Sequence, residues 1–196
     1  MNRLISLSIL AAALAAPAFG KLPEDGPDLG AHSASQLAAD LIRDAAGSDG
    51  AFLAAGILKP KSLQKDNLAS ILQYPTNTII VLSLTGTQIR EAFERSVSMY
   101  PQPNEGFLQI SGFEVTFKKT GAPEHRVVSI NAGTAKLDDS KTYNIAMPST
   151  LAHGGLGYFK IWQNAKTVKV LDKTTVEEVL RGKRVSDTAP RWSVVS

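Results

Sequence analysis

The sequence of 196 residues contains no cysteine, which excludes a disulfide framework, a cysteine-based metal site and a cysteine nucleophile. It has only three histidines, His32, His125 and His153, and no His-x-His or His-Glu-x-x-His spacing joins them. A two-metal site needs several imidazoles and carboxylates that converge on the ions. No Gly-x-Ser-x-Gly nucleophile motif occurs either. We therefore expect no metal site, no cofactor and no Ser-His-Asp chemistry.

Long apolar runs are also missing, except at the N-terminus. Arg3 precedes a run of mostly apolar residues, 4–16, and small residues surround Ala18. That order is typical of a secretory signal peptide, and the run is short for a membrane span, which takes about 20 residues. We assign residues 1–20 to a signal peptide cleaved after Ala18 or Gly20. The expected product is exported, to the periplasm or as a secreted protein of a bacterial envelope, with no membrane span after cleavage.

Neither sign of charge is in large excess, because 21 Lys and Arg residues stand against 18 Asp and Glu, a formal net charge of +3. The basic residues are scattered and are densest at 118–119 and 181–184. No aromatic stripe accompanies them. Nucleic-acid binding requires a basic face, so we expect no nucleic-acid partner.

The rest of the chain is predicted to form one domain, at residues 32–196, after a lead-in at 21–31 that is rich in Pro, Gly and Asp and is expected to be flexible. Capping-box patterns that begin at Ser33, Thr85 and Thr174 predict helix starts, and Asp66 predicts the cap of a short helix. Strands are predicted from β-branched and apolar runs at 51–57, 78–84, 107–110, 113–117, 127–130, 143–147, 168–171 and 192–195. Strands and helices alternate without a strict βαβ order, which indicates an α+β or mixed α/β fold.

The most informative segment is the glycine-rich stretch Gly154-Gly155-Leu156-Gly157, which follows the predicted strand 143–147. Glycines allow backbone angles that other residues avoid, and they let a ligand approach the main chain. A loop of this kind at a strand end is a common place for a binding site. It supplies no acid, because Leu156 lies in its middle.

Three segments in order carry a resemblance to a known family. They are Tyr74-Pro75-Thr76-Asn77 with the strand and helix that follow, then Gly106-Phe107-Leu108-Gln109-Ile110-Ser111-Gly112, then Tyr143 to Tyr158. This order resembles the C-terminal domain of the 5′-nucleotidase family, whose motifs are LxLTGxQLxxAxExS, FLQxSG and YxVAxxxFLAxGGDGY. The helix at 37–43 is similar to the family's NLxADAxR. The resemblance spans residues 37–158 and implies a single domain with mixed sheets and packed helices.

In complete members of that family, a separate metallophosphatase domain holds two metal ions and performs the hydrolysis. Its Asp-x-His and Gly-Asn-His motifs do not occur in this sequence. The C-terminal domain recognises the nucleotide and places the base between two aromatic rings. The resemblance therefore implies a substrate-recognition domain that is not catalytic by itself.

The family's recognition residues are mostly replaced. The positions of the two stacking aromatics hold Pro75 and Thr150, the loop Asp is Leu156, and the substrate-binding Arg is Leu58. The Asn of the Pro-Phe-x-Asn motif is retained as Asn77. Four such replacements predict a degenerate pocket.

We expect whatever cleft remains beside the loop to be lined by seven residues: Tyr74, Asn77, Gly106, Phe107, Gly154, Gly155 and Tyr158. The leading hypothesis is a non-catalytic binding or interaction module related by family to nucleotide catabolism. One alternative is the accessory half of a split nucleotidase that works with a separately encoded metallophosphatase chain. A third is a receptor of altered specificity for a nucleoside-like small molecule.

Overall fold

The structure is a computed structural model that describes residues 26–195. In that range the chain forms two mixed β-sheets with helices packed on them, as predicted. The strands are β1 Gly50–Ala54, β2 Thr78–Thr85, β3 Leu108–Ser111, β4 Phe113–Lys118, β5 Val127–Ala132, β6 Ala135–Lys136, β7 Thr142–Pro148, β8 Lys166–Thr175 and β9 Trp192–Val195.

Two helices are long and three are short. The helices are α1 Ser33–Ala46, α2 Gly86–Val97, α3 Ser149–Ala152, α4 Phe159–Trp162 and α5 Val176–Leu180. Single 3₁₀ turns occupy Ala55–Ile57, Pro60–Ser62, Leu68–Ile71 and Gly155–Gly157. The predicted strand at 51–57 is therefore too long, since its last three residues form a 3₁₀ turn.

The first sheet has the strand order β3-β1-β7-β2-β8, and the second has the order β6-β5-β4-β9. In the first sheet β1 and β7 are parallel, whereas the other neighbours are antiparallel. In the second sheet β4 and β9 are parallel, with Val115 opposite Trp192. Parallel and antiparallel pairs in both sheets confirm the mixed α/β fold class.

The first sheet has a core on each face. Along β1, Phe52 joins the larger cluster with α2 and the second sheet, while Leu53 joins the smaller cluster under α1 and α5. Ile80 and Val81 on β2 divide in the same way. Successive strand side chains point to opposite faces, so an almost wholly apolar strand can supply both cores.

The first residues of the helices show which of the predicted capping boxes form. Thr85 caps α2 as predicted, and the capping box with Gln88 is complete. The box before α5 is formed by Thr175 and Glu178, one residue later than predicted. The hydrogen bonds that the Thr175 backbone and side chain donate lower the pKa of the Glu178 carboxyl.

Two predicted caps are wrong. The residue before α1 is His32, and Ser33 lies inside the helix without capping it. Ser33 Oγ instead accepts a hydrogen bond from the Thr188 backbone N at 2.7 Å, and Gln36 Oε1 accepts one from the Arg191 backbone N at 2.9 Å. Asp66 caps nothing, because the short 3₁₀ turn starts after Asn67. At Ser33 and Gln36, hydrogen bonds to distant residues engage the polar groups that the local pattern assigned to a cap.

Residues 181–195, here called the C-terminal segment, connect α5 to the second sheet. Arg191 Nη2 donates to Asp40 Oδ2 of α1 at 2.6 Å, and Arg191 Nη1 donates to the Ile110 carbonyl at 2.8 Å. Trp192 is 1% exposed and its indole N donates to the Leu108 carbonyl at 2.8 Å. The segment thus joins α1, the edge of the first sheet and the second sheet.

The lead-in is described only from residue 26, and the signal-peptide prediction lies outside the described residues. Residues 26–31 pack against the fold: buried Gln109 donates to the carbonyls of Pro27 and Gly30 at 2.9 and 2.6 Å. Ala31 is 4% exposed. No helix in the described part of the chain has the length and apolar character to cross a membrane.

Candidate functional site

The glycine loop, residues 149–158, turns sharply after β7. Gly154 has φ +87°, and a Cβ there would lie 2.5 Å from Phe159 Cα. Gly157 has φ +84°, and a Cβ there would lie 2.0 Å from Arg95 Nη2. Both positions have a left-handed backbone that favours glycine, and at Gly154 the backbone of Phe159 also leaves no room for a side chain. The glycine pattern in the sequence therefore reports the shape of the loop.

Leu156 has a left-handed backbone as well, with φ +58°. For a residue with a side chain this conformation costs about 1–2 kcal/mol. Arg95 of α2 stabilises it, because Arg95 Nη2 donates to the Leu156 carbonyl at 2.5 Å. The guanidinium also lies over the Tyr158 ring, 5.3 Å from its centroid. Sequence reasoning missed Arg95, which occupies a variable position of the helix motif.

The Leu156 side chain occupies the space between the loop and the turn at Gly56. Its partly buried side chain packs against both core clusters, and its Cδ2 lies 2.8 Å from the point where a Cβ on Gly56 would stand. Leu58 is 5% exposed and belongs to the smaller cluster. The positions at which the family resemblance implies a carboxylate and a guanidinium therefore carry apolar side chains packed on the protein.

Tyr158 and Phe107 are both part of the core. Tyr158 is 0% exposed, stacks on Trp162 with ring centroids 5.2 Å apart, and donates its hydroxyl to the Gly106 carbonyl at 2.5 Å. Burial raises the pKa of the Tyr158 phenol far above its usual range. Phe107 is 1% exposed and packs on Trp192. Gly106 is buried beneath Tyr158.

Asn77 has its hydrogen-bonding groups engaged by the protein. Its Oδ1 accepts from the Ser149 hydroxyl at 2.8 Å and from the Thr150 hydroxyl at 2.7 Å. Its Nδ2 donates to the Tyr74 carbonyl at 3.2 Å. Asn77 thereby joins the turn at 74–77 to the start of α3. Tyr74 is 48% exposed at this turn.

The structure thus brings the predicted cleft residues together in two groups. Gly106, Phe107 and Tyr158 form a buried set, while Tyr74 and Asn77 lie with the glycine loop near the surface. That these residues contact a ligand stays a prediction.

A small cleft of about 180 Å³ lies beside Leu58. It is lined by Pro27, Asp28, Ala55, Gly56, Leu58, Pro60, Gln73 and Glu105. Two carboxylates and no basic side chain line it, so its electrostatic character disfavours an anion. No motif in the sequence indicates this cleft, because the lead-in residues Pro27 and Asp28 form one of its walls.

A larger cleft of about 430 Å³ lies elsewhere, beside α1 and the turn between β3 and β4. Its charged lining residues are Asp40, Arg43, Asp44, Glu114 and Arg191. Arg191 is already bound to Asp40, and Arg43 contacts Asp44 at 3.4 Å. Within residues 26–195, no three or more side chains of the metal-ligating types converge as a metal site.

Comparison with known proteins assigns the family. A family model described as the C-terminal domain of 5′-nucleotidase matches residues 20–163. The chain belongs to this family, as the motif order predicted.

Individual relatives extend the same comparison. The chain is 36% identical over 101 residues to a snake venom 5′-nucleotidase of Macrovipera lebetinus, covering 47% of this chain and 24% of that protein. It is 30% identical over 155 residues to a 5′-nucleotidase-related protein of Glossina morsitans morsitans, covering 72% of this chain and 28% of that one. The chain thus spans about a quarter of the length of these relatives.

Among solved structures, a 5′-nucleotidase precursor from Thermus thermophilus superposes with a TM-score of 0.73. The sequences are 22% identical, and the alignment covers 89% of this chain and 38% of the other. At this identity the likeness concerns the fold.

Proposed function

We propose that this chain is an exported, non-catalytic member of its family, a binding or accessory module whose nucleotide pocket is degenerate. One observation carries the proposal. The four positions at which the resemblance implies two rings, a carboxylate and a guanidinium hold Pro75, Thr150, Leu156 and Leu58, and the two leucines pack into the protein's own core clusters.

The energetic consequence is large compared with a typical binding free energy. Stacking a base on an aromatic ring contributes about 1–3 kcal/mol, and charge-assisted hydrogen bonds are stronger than neutral ones. Loss of two rings and one arginine removes about 4–8 kcal/mol of recognition. A micromolar site has only about 8 kcal/mol in total. Nucleotide binding in the family's manner is therefore not expected.

The charge of the remaining cleft supports the same proposal. The cleft beside Leu58 presents the carboxylates of Asp28 and Glu105, and its lining contains no basic side chain. A phosphate placed there would meet like charges without a guanidinium to bind it. A receptor of altered specificity would therefore use a neutral or cationic small molecule at this cleft.

The test is a binding and activity assay on the purified protein. We expect no saturable binding of adenosine monophosphate at millimolar concentration and no phosphate release when divalent metal is added. The variant carrying Leu58→Arg, Pro75→Phe, Thr150→Phe and Leu156→Asp restores the family's groups and is expected to gain affinity for nucleotide. Micromolar binding by the unmodified protein, or metal-dependent hydrolysis, would contradict the proposal.

A second candidate function is favoured by the exposed aromatic residues near the glycine loop. Phe159 is 63% exposed beside Gly154, and Tyr74 is 48% exposed beside Asn77. An exposed large aromatic is a frequent anchor in protein interfaces. This surface suits an accessory subunit that docks on a separately encoded metallophosphatase chain.

Phe159→Ser tests that accessory role. In a binding assay against a metallophosphatase chain encoded next to this one, the substitution is expected to weaken the binding between the two chains by at least tenfold. Val128→Ser, at a position on the second sheet that is 51% exposed, is the control and should leave binding unchanged. Equal effects of the two substitutions would count against docking at this surface.

A further inference from the structure

Two segments that are distant in the sequence meet in the fold and carry a cluster of cations. Residues 59–68 and residues 181–185 are separated by more than 110 positions, so their basic residues look scattered in the sequence. Two backbone hydrogen bonds of 2.8 and 2.9 Å join the segments, donated by Leu68 to the Lys183 carbonyl and by Val185 to the Lys65 carbonyl. We call the cations of the two segments the basic surface: Lys59, Lys61, Lys65, Arg181, Lys183 and Arg184.

The two segments cover the same part of the core and turn their cations to solvent. The apolar residues between the cations pack on the smaller core cluster, Leu63 and Leu68 from one segment and Val185 from the other. All six cations are exposed. Because both segments bury their apolar side chains in one cluster and lie side by side over it, their charged side chains lie on the outer surface above that cluster.

Few acidic groups offset these cations. The two segments contain one carboxylate, Asp66, so their formal charge is +5, whereas the whole chain has +3 and the rest of it is therefore net negative. Arg181 contacts Glu177 of α5 at 3.4 Å, and no other ion pair within residues 26–195 involves a cation of the basic surface. A local excess of one charge creates a field that attracts a partner of the opposite charge.

We propose that the basic surface binds the anionic headgroups of a phospholipid bilayer. Clusters of lysine and arginine are attracted to the negative potential of such a bilayer. None of the six cations lines either of the two clefts described above. An open cluster of this kind suits an extended anionic surface better than an enclosed small ligand. The proposal concerns a surface apart from the glycine loop and does not depend on the loss of nucleotide recognition.

The composition of the basic surface disfavours an acidic protein and a nucleic acid as partners. Protein interfaces are depleted of lysine and are anchored by large side chains, aromatic ones above all. None of the large apolar side chains that are exposed in the described chain lies in either segment. Single-stranded nucleic acids stack their bases on aromatic rings, and neither segment contains an aromatic residue. Electrostatic attachment to headgroups requires no such contact.

The attachment is expected to be reversible and to depend on salt. Each basic residue close to the headgroups strengthens binding about fivefold. Screening opposes this attraction, because the Debye length falls from about 8 Å at 0.15 M salt to about 3 Å at 1 M. A polybasic cluster without an inserted apolar group does not anchor a protein permanently. Binding is therefore expected at low and physiological salt and should be lost at high salt.

The first test is co-sedimentation of the purified protein with lipid vesicles. We expect binding to vesicles of mixed phosphatidylglycerol and phosphatidylcholine at about 0.15 M salt, and release at about 1 M. Vesicles of phosphatidylcholine alone, which have no net charge, should not bind the protein. Equal binding to the two lipid compositions, or binding to neither, would overturn the proposal.

Two charge-reversal variants locate the contact. Lys65→Glu, Lys183→Glu and Arg184→Glu together should weaken binding to the anionic vesicles by at least tenfold. The matched control carries Lys118→Glu, Lys119→Glu and Lys136→Glu, at exposed positions on and beside the second sheet, and changes the net charge by the same amount. It should retain most of the binding. Thermal unfolding checks that both variants are folded, and equal loss of binding by the two would refute the placement of the contact.

The same assay separates lipid from the two other anionic partners. Single-stranded DNA and an acidic peptide are offered to the unmodified protein at the same concentration of negative charge as the anionic vesicles. We expect both to bind more weakly than the vesicles, because the basic surface offers no ring for stacking and no apolar anchor. Tighter binding of the DNA or of the peptide would overturn the assignment to lipid.

Discussion

The glycine loop, residues 149–158, is built from short helical turns, whereas the C-terminal segment, residues 181–195, is mostly irregular before β9, and different contacts hold the two regions. The loop depends on left-handed glycines, on Arg95 and on Asn77. The C-terminal segment depends on side chains of α1, which bind its backbone and Arg191, and on Trp192, which fills the larger core.

The family match covers the loop and ends at residue 163, before the C-terminal segment. The glycines of the loop follow from its backbone shape, because Gly154 and Gly157 both have left-handed φ angles. The fold requires this turn whether or not the loop binds a ligand. Long-range attachment of the chain, by contrast, leaves no local motif.

The largest expected effect is on the C-terminal segment, where Trp192 contacts Phe93 and Phe107. Trp192→Ala is expected to lower the free energy of unfolding by about 3–5 kcal/mol, as for other large core aromatics. Denaturant unfolding measures it, with Trp192→Phe as the milder control. A loss below about 1 kcal/mol would mean that Trp192 in this segment contributes little to the stability of the fold.

A glycine substitution in each region separates the cost of close packing from the cost of a left-handed backbone. Gly154→Ala adds a Cβ at a left-handed position against Phe159, so we expect a loss of about 2–4 kcal/mol. Gly182→Ala has a similar φ, +68°, but meets nothing within 4 Å and should cost only about 1 kcal/mol. Thermal or denaturant unfolding compares the two. Equal losses in the free energy of unfolding would show that the close contact with Phe159 adds no cost at Gly154.

Stability at high pH reports on the burial of Tyr158. Burial raises the pKa of the Tyr158 phenol in the folded state above its value in the unfolded state. The stabilisation from the neutral phenol is therefore complete below the unfolded-state pKa and is lost as the pH rises toward the folded-state pKa. Above about pH 10 the free energy of unfolding should therefore fall by about 1.4 kcal/mol per pH unit from this group. Tyr158→Phe should remove that contribution. Parallel pH profiles for the two proteins would contradict the burial of the phenol.

The smallest effect concerns Ser33, which the sequence pattern assigned to a helix cap. Ser33→Ala should cost about 1 kcal/mol, the value of one hydrogen bond. Hydrogen exchange locates the loss: the amide of Thr188 should lose protection, whereas the first turn of α1 should not. Loss of protection confined to α1 would restore the capping interpretation.

Local chemistry made most of the fold predictable. The β-branched run at 78–84 became β2, and Thr85 and Gln88 became a true capping box, because both depend on neighbouring residues. The pattern at Ser33 and Gln36 was equally good but failed. Residues more than 150 positions away compete for the same side chains, and no local pattern records them.

The motif positions predict that Leu58 and Leu156 stand where the family resemblance implies charged groups, and a degenerate pocket stays a prediction. They did not show that Arg95 holds the loop through the Leu156 carbonyl, nor that Asn77 is occupied by Thr150. Those contacts depend on how α2, the turn at 74–77 and α3 meet in space.

If the pocket is degenerate as proposed, the glycine loop does not recognise a nucleotide in the family's manner. Isothermal titration of the purified protein with adenosine monophosphate tests it directly, with the variant that restores the four family side chains as the comparison. We predict no saturable heat for the unmodified protein and measurable binding for the variant. A micromolar dissociation constant for the unmodified protein would contradict the proposed loss of nucleotide recognition.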